Sequence, residues 1–543
     1  MRIPHATKDR MFPANDPRNR RRQRRVVGLA TCLTVALGFA AAAVVSCSKD
    51  SETPPVVTRE PETGNAITST KASIVPSKAR VPTIDLRAPS DPKNVLTLLA
   101  EGWGTYTVGA GRPMVDRTLD GSPAPTPTHG RKRVARFVHA SDFQLADDES
   151  PSRVAAADGP PPIEGAFRPQ EGYQCRVMDA MVRTLNAIHG EVPVDLVVLG
   201  GDNVDNAQAN ELAWMLRILD GGDAFACDSG DPNDVEPGPD NDAKDVFTPV
   251  GLDMPWLWVT GNHDAEIQGN FAVDDARIAE TIGTECKGGT RDYREPGAPI
   301  HRGTVPADPA RRPMVPLDLM ARVGAATGKK GPPGHGIDAY ARTSGHATYA
   351  YDVPGSPVRF LVVDTAAETG GADGIVRKAD VEQVVMPALE GAKRDGKWVV
   401  VVSHHAVDRL GDGSSAGGPT RTDVLTPREW ERIVTQNRNV ILDLVGHAHT
   451  HRVRVLGSGS AGTWEMQTSA LADFPNQVRL VEIWDEGGGS ISIRSASVDF
   501  DTKGSVLAER ARTLAILDFT TGWSPIETVK PEDENVVLWL KKP

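Results

Sequence analysis

At 543 residues the chain is far longer than one typical domain, and its 39% apolar content is enough to build a core. Lys and Arg number 60 against 72 Asp and Glu, and because residues 1–50 hold ten of the first and three of the second, the rest carries 50 against 69, a net of −19. So acidic a body excludes extended, non-specific binding of nucleic acid or anionic lipid, while an anionic substrate could still enter a locally positive site.

Residues 18–25 read "RNRRRQRR", and residues 26–46 form an apolar run of small residues, "VVGLATCLTVALGFAAAAVVS". A basic stretch followed by such a run reads as an export signal. It ends in "VVSC", and a small residue before Cys47 resembles a lipoprotein signal. That resemblance implies cleavage before Cys47 and lipid attachment to it, giving an exported lipoprotein anchored on the periplasmic or cell-surface side. The competing reading is an uncleaved membrane anchor, since the run is about long enough to span a bilayer. Arg24 and Arg25 resemble a twin-arginine signal, so the export route stays open.

Of the five cysteines, Cys32 lies in the signal and Cys47 is the lipid site, leaving Cys175, Cys227 and Cys286. They show no C-x-x-C metal spacing; one disulfide among them is possible in an exported protein, with the pair open. Residues 48–92 are rich in Pro, Ser, Thr and charge and lack periodicity, which reads as a disordered tether. A folded domain is expected over 93–501, with 502–543 as a C-terminal extension packing on it.

From residue 93 short β-branched runs alternate with helical patterns and no internal repeat is evident. The runs are "ARFVHASD" (135–142), "VDLVVLGGD" (194–202), "WLWVTGNHD" (256–264), "VRFLVVDT" (358–365), "KWVVVVSHH" (397–405) and "NVILDLVGH" (439–447). Val177, Met178, Met181, Val182, Leu185 and Ile188 mark one amphipathic helix, and "ADVEQVVMPALEGAKRD" marks another. This alternation predicts an α/β fold with buried sheets. Five of the six runs end in Asp, Asn, Gln or His, at the carboxyl ends of strands, where α/β sheets bind ligands.

In order, those ends are "SDFQ", "GGDNVDN", "TGNHD", "SHHA" and "GHAH". The series resembles the calcineurin-like metallophosphoesterases, whose pattern is D-x-H, G-D-x-x-D, G-N-H-[DE], a lone histidine after a strand, and G-H-x-H. The resemblance spans about 135–450. The later "GTWEMQTSALADFPNQVRLVEIW" (462–484) resembles a segment that closes the site in some bacterial members. It implies two mixed β-sheets packed face to face with flanking helices, a four-layer αββα fold. It also implies hydrolysis of phosphate esters at two divalent metals, Mn, Fe or Zn, that share a carboxylate and a bridging hydroxide. Two metals about 3.5–4 Å apart supply both a nucleophile and charge neutralisation, and an oxygen- and nitrogen-rich set without thiolate suits those ions.

Carried over by position, the resemblance assigns Asp142, Gln144 and His449 to one metal. Asn262, His404 and His447 go to the other, and Asp202 bridges them. His263 would contact the phosphoryl group and help the leaving oxygen depart, with Asp264 orienting it. His405 is expected to point elsewhere, and His451 to be a polar loop residue. Ala406 replaces a usual proline, and Gln144 replaces the usual histidine with a neutral amide oxygen, a poorer ligand for transition metals. His335, in "GPPGHGID", is either a surface loop residue or one that reaches substrate. The insertion 220–245 holds eight aspartates without calcium-loop spacing and reads as a solvated loop. Loops 147–170 and 265–346 should line the cleft. Two alternatives stay open: a nucleotidase or nuclease of the same fold, and a surface lipoprotein that only binds ligand. Substrate, preference between monoester and diester, and oligomeric state are not legible.

Overall fold

The six apolar runs all become strands, three in each of two sheets. In the computed structural model, the described residues are 60–543 apart from 63–67, 83–86, 129, 160–164, 232–235, 327–332, 416–419 and 525–528. They belong to one unit, Val57–Pro543. The residues read as an export signal, and Cys47, lie outside the described residues.

Among the described residues one sheet has seven strands. Its order is Val115–Thr118, Val536–Lys541, Ser490–Asp499, Gln477–Gly487, Lys132–Ala140, Leu196–Leu199 and Trp256–Trp258, the last three mutually parallel. The second has six: Arg452–Leu456, Thr463–Gln467, Val440–Val445, Trp398–Val402, Val358–Val362 and Tyr349–Asp352, parallel through its four middle strands. Parallel strands buried on both faces need apolar side chains on each, hence runs such as "WVVVV".

Alternation along the strands divides the core. Val358, Phe360, Val362, Val400 and Val402 face the first sheet, within the large shared cluster. Leu361, Val363, Val399 and Val401 face outward onto Ala388, Leu389, Trp430 and Val434, on helices Met386–Asp395 and Pro427–Gln436. Phe137 and Phe360 meet across the sheets edge to face at 5.0 Å, worth about 0.5–1.5 kcal/mol beyond their burial. Helices Gln174–Glu191, Ala209–Asp220 and Val506–Thr521 add apolar side chains to the first sheet's cluster. The expected two mixed sheets, face to face between helices, are what the chain forms.

The ends of the domain differ from expectation. Val536–Lys541 is an internal strand of the seven-stranded sheet, paired with both Ser490–Asp499 and Val115–Thr118, so 502–543 belongs to the core. Within the expected tether, Ala72–Pro76 pairs antiparallel with Tyr106–Ala110, and Ser69 N–H donates to Ser497 O at 2.9 Å. The polar composition averaged over 48–92 hid this short β-branched run.

The Asp-rich insertion is also tied down. Cys227 is disulfide-bonded to Cys175 on the helix Gln174–Glu191, while Cys286 is free and buried. Lys244 is buried, with Nζ 2.9 Å from Asp148 and 2.7 Å from Glu149. An ammonium is buried only where carboxylates offset its desolvation, so this end of the insertion is anchored rather than solvated.

Candidate metal centre

The strands ending at Ala140, Leu199 and Trp258, and those ending at Val402 and Val445, deliver their loops to one edge. Backbone hydrogen bonds lock the first two loops together: Asp142 N–H to Gly201 O at 3.0 Å and Gln144 N–H to Asp202 O at 2.8 Å. Glycine is required where they approach most closely. A Cβ on Gly261 would lie 2.1 Å from Asp202 Oδ1, and one on Gly201, whose φ is +95°, would lie 2.5 Å from His404 Nδ1.

Asp142, Asp202 and His404 place their ligating atoms within 4.8 Å of one another, as do His404, His405 and His447. His404 Nε2 is 3.1 Å from Asp202 Oδ2 and 3.8 Å from Asp142 Oδ1, and His449 Nε2 is 3.4 Å from Asp142 Oδ1. The backbone N–H of His447 donates to Asp142. Gln144 and Asn262 are 3% and 2% exposed, yet Gln144 Oε1 and Asn262 Oδ1 have no partner. Asn262 Nδ2 donates to Gly269 O at 3.0 Å, which fixes the amide. Leaving a buried carbonyl oxygen unpaired costs about 1–3 kcal/mol unless something binds it. A cation fits that role, and the set of carboxylate, amide oxygen and imidazole suits a divalent transition metal.

The outer partners fix the imidazoles. His404 Nδ1 is 2.9 Å from Gly200 O, and His449 Nδ1 is 2.7 Å from Asp473 Oδ2. With Nδ1–H given to an acceptor in each ring, the neutral imidazole presents the Nε2 lone pair to a metal. Burial alone would raise the Asp202 carboxyl, but the imidazoliums that His404 and His263 form when no metal is bound hold it well below the usual carboxylate range. Burial, with His404 beside it, pushes His447 down to about 3, so it stays neutral.

His263 differs from expectation in its partner. Its Nδ1 lies 2.9 Å from Asp205 O and 3.1 Å from Asp205 Oδ1. Asp264 instead accepts from the backbone N–H groups of Asn203, Val204 and Gly261 at 2.8–3.0 Å. It clamps two loops together and does not orient the imidazole. Burial opposes a charge on His263, yet the Asp202 and Asp205 carboxylates push it up to about 8. Asp205 sits within the quoted G-D-x-x-D element, so the signal for it was present in the sequence.

Other expectations also change. His405 turns inward beside His447, ring centroids 4.5 Å apart, with Nδ1 2.9 Å from Thr365 Oγ1 and Nε2 unpaired. His451 does lie in the loop just before the strand Arg452–Leu456, but it is buried there, near Ser469, Gln477 and Ser497. His335 is fully buried and stacked 3.3 Å from Trp256, so it is neither a surface residue nor a substrate contact. The 462–484 segment does meet the site: Ala472 N–H donates to Asp142 O at 3.0 Å, and Asp473 holds His449. A cavity of about 730 Å³ opens beside Gln144, His263 and His449. Both expected cleft loops line it, through residues such as Arg168 and Phe271.

Residues 135–453 match the calcineurin-like phosphoesterase family. The chain belongs to that family. It is accordingly a phosphoesterase, a metal-dependent hydrolase of phosphate esters, with a residue cluster that could hold metal. No curated protein matches this phosphoesterase in sequence. Among solved structures, a dimetal phosphatase from Danio rerio is similar at 11% identity and a TM-score of 0.37, over 68% of this chain and 100% of that one. The sulfate thiohydrolase SoxB of Thermus thermophilus, in complex with glycerol, is similar at 14% identity and a TM-score of 0.29, over 72% of this chain and 60% of that one. At these scores neither likeness bears on what the phosphoesterase does.

Proposed function

We propose that this phosphoesterase works with two divalent metal ions, Mn, Fe or Zn. Asp142, Gln144 and His449 would hold one, Asn262, His404 and His447 the other, and Asp202 both. The observation that carries this is the pair of buried, unpartnered amide oxygens on Gln144 and Asn262, at the same sheet edge as the Asp142, Asp202 and His404 cluster. When bound, such a pair of ions supplies a nucleophile at neutral pH and neutralises phosphoryl charge.

The chain's own residues do the rest. Asp473 and the Gly200 carbonyl hold His449 and His404 with Nε2 free. Asp205 holds Nδ1 of His263 and favours its imidazolium, whose Nε2 proton would pass to the leaving oxygen, help typically worth about 10²–10⁴-fold. The enzyme acts outside the cytoplasm, tethered through lipid on Cys47, a reading supported by the "VVSC" that ends the apolar run. The test is hydrolysis of p-nitrophenyl phosphate by purified protein before and after chelation, with Mn restored. Turnover that survives removal of all bound metal would refute the proposal.

A further inference from the structure

We propose that Arg168 recognises the substrate by binding an anionic phosphoryl oxygen, and that through it the enzyme prefers phosphate monoesters to diesters. This deepens the function proposed above and rests on it.

Arg168 is only 6% exposed and lines the cavity together with Gln144, Asp205, His263 and His449. Its Nε donates to Asp473 Oδ1 at 2.9 Å, and Gln170 Nε2 reaches the same oxygen at 3.2 Å. The other Asp473 oxygen is taken by His449 at 2.7 Å. One edge of the guanidinium is therefore fixed, on a carboxylate that also holds a proposed metal ligand. Among the described residues, its two terminal nitrogens donate to no acceptor. Neighbouring carboxylates are already engaged: Asp205 by Arg153 at 2.9 Å and by His263, and Glu171 by Arg153 at 2.6 Å.

A guanidinium held this way cannot be read as a solvated surface charge. Arg168 lines the cavity, where an arriving anion would restore to its unused N–H groups the hydrogen bonds lost on burial. The planar fork suits a phosphoryl group, whose oxygens can take two parallel N–H donors. A monoester dianion carries three non-bridging oxygens, whereas a diester carries two, with an organic group esterified to the third. Arg168 offers donors to an extra oxygen and nothing to a carbon substituent. The cavity, at about 730 Å³, leaves room for the single organic group of a monoester towards Phe271 and Arg277.

The experiment compares wild type, Arg168→Met and Arg168→Lys, each loaded with Mn. It measures KM and kcat for p-nitrophenyl phosphate and bis(p-nitrophenyl) phosphate, inhibition by inorganic phosphate, and metal per chain. Loss of one or two charge-assisted hydrogen bonds should raise the monoester KM and the phosphate Ki about 10- to 100-fold in Arg168→Met. Metal content should hold, and diester kcat/KM should change less than about 3-fold. Arg168→Lys keeps the charge but not the fork, so its Ki should fall between the two; it serves alone if the Met variant does not fold. Unchanged phosphate Ki with reduced metal content would mean that Arg168 only braces Asp473, and overturns the inference. Equal losses on both esters overturn the claimed preference. A wild type inactive on both esters refutes the function proposed above, whereas an active wild type matched by its Arg168 variants refutes this inference alone.

Discussion

Asp205→Asn is the substitution that most directly separates the observed site from the expected one. The carboxylate lies 3.1 Å from His263 Nδ1 and is 3% exposed, so little water screens the pair. Asparagine keeps the shape and removes the charge. Asp202 also favours the imidazolium, but as a shared metal ligand its charge would be largely neutralised, leaving Asp205 as the main anion facing His263. Replacing a charge-assisted hydrogen bond with a neutral one loses about 1–2 kcal/mol, or roughly one pKa unit. The carboxylates beside His263 raise it, so its acid form is populated below its folded pKa and lost as pH rises through that value. In the variant this loss begins about one unit lower. The assay is kcat/KM against pH for aryl phosphates of graded leaving-group acidity, with metal saturating. The basic limb should move down by about one unit, and poor leaving groups should suffer most. Asp264→Asn should leave the limb in place and lower stability instead, because Gly261 N–H and Asn203 lose an acceptor. If Asp264→Asn shifts the limb and Asp205→Asn does not, the assignment of Asp205 is wrong.

Gln144→His should raise metal retained after dialysis from near one per chain towards two, read by elemental analysis; wild type that already holds two as firmly would show the amide to be a full ligand. Cys175→Ser with Cys227→Ser frees a loop spanning 52 residues and should lower unfolding free energy by about 2–4 kcal/mol, read by denaturant titration, while metal content holds. Cys47→Ser should block lipid labelling and shift the protein out of the processed membrane fraction; unchanged labelling and size would exclude the anchor.

The strands and the proposed ligands were legible because each ligand follows an apolar run at a fixed short spacing, which is local information. Asp205 was legible too, inside "GDNVD", but Asp264 lay next to the histidine in sequence and drew the role. Adjacent residues at a helix start point in different directions, and Asp264 turns back to cap the backbone of its own turn. Asp473 and Arg168 were invisible for a different reason. They lie 305 positions apart and meet only because the antiparallel strands Gln477–Gly487 and Lys132–Ala140 bring the 462–484 segment back over the site. His335 and Lys244 misled through composition: a Gly/Pro loop and an aspartate-rich loop suggest water, yet one side chain stacks on Trp256 and the other satisfies Asp148 and Glu149.

The backbone at the site gives an argument that composition could not. Asp142, Gln144, Asp202, His447 and His449 all have positive φ, between 40° and 71°. Left-handed backbone costs a non-glycine residue about 1–3 kcal/mol, and it persists where the surroundings over-determine it. Here they do, through Asp142 to Gly201, Gln144 to Asp202, and His447 N–H to the Asp142 carboxylate. The turns reverse the chain just past each strand end, so side chains from separate loops converge instead of fanning outward. Asp and His tolerate this region better than most residues, and four of the five are Asp or His. Gln144 is the exception. It occupies a strained position with a side chain that lowers no local strain and leaves its own carbonyl oxygen unpaired. Both costs are offset if that oxygen binds a cation, which is why the least typical residue in the cluster is also strong evidence for what the cluster holds.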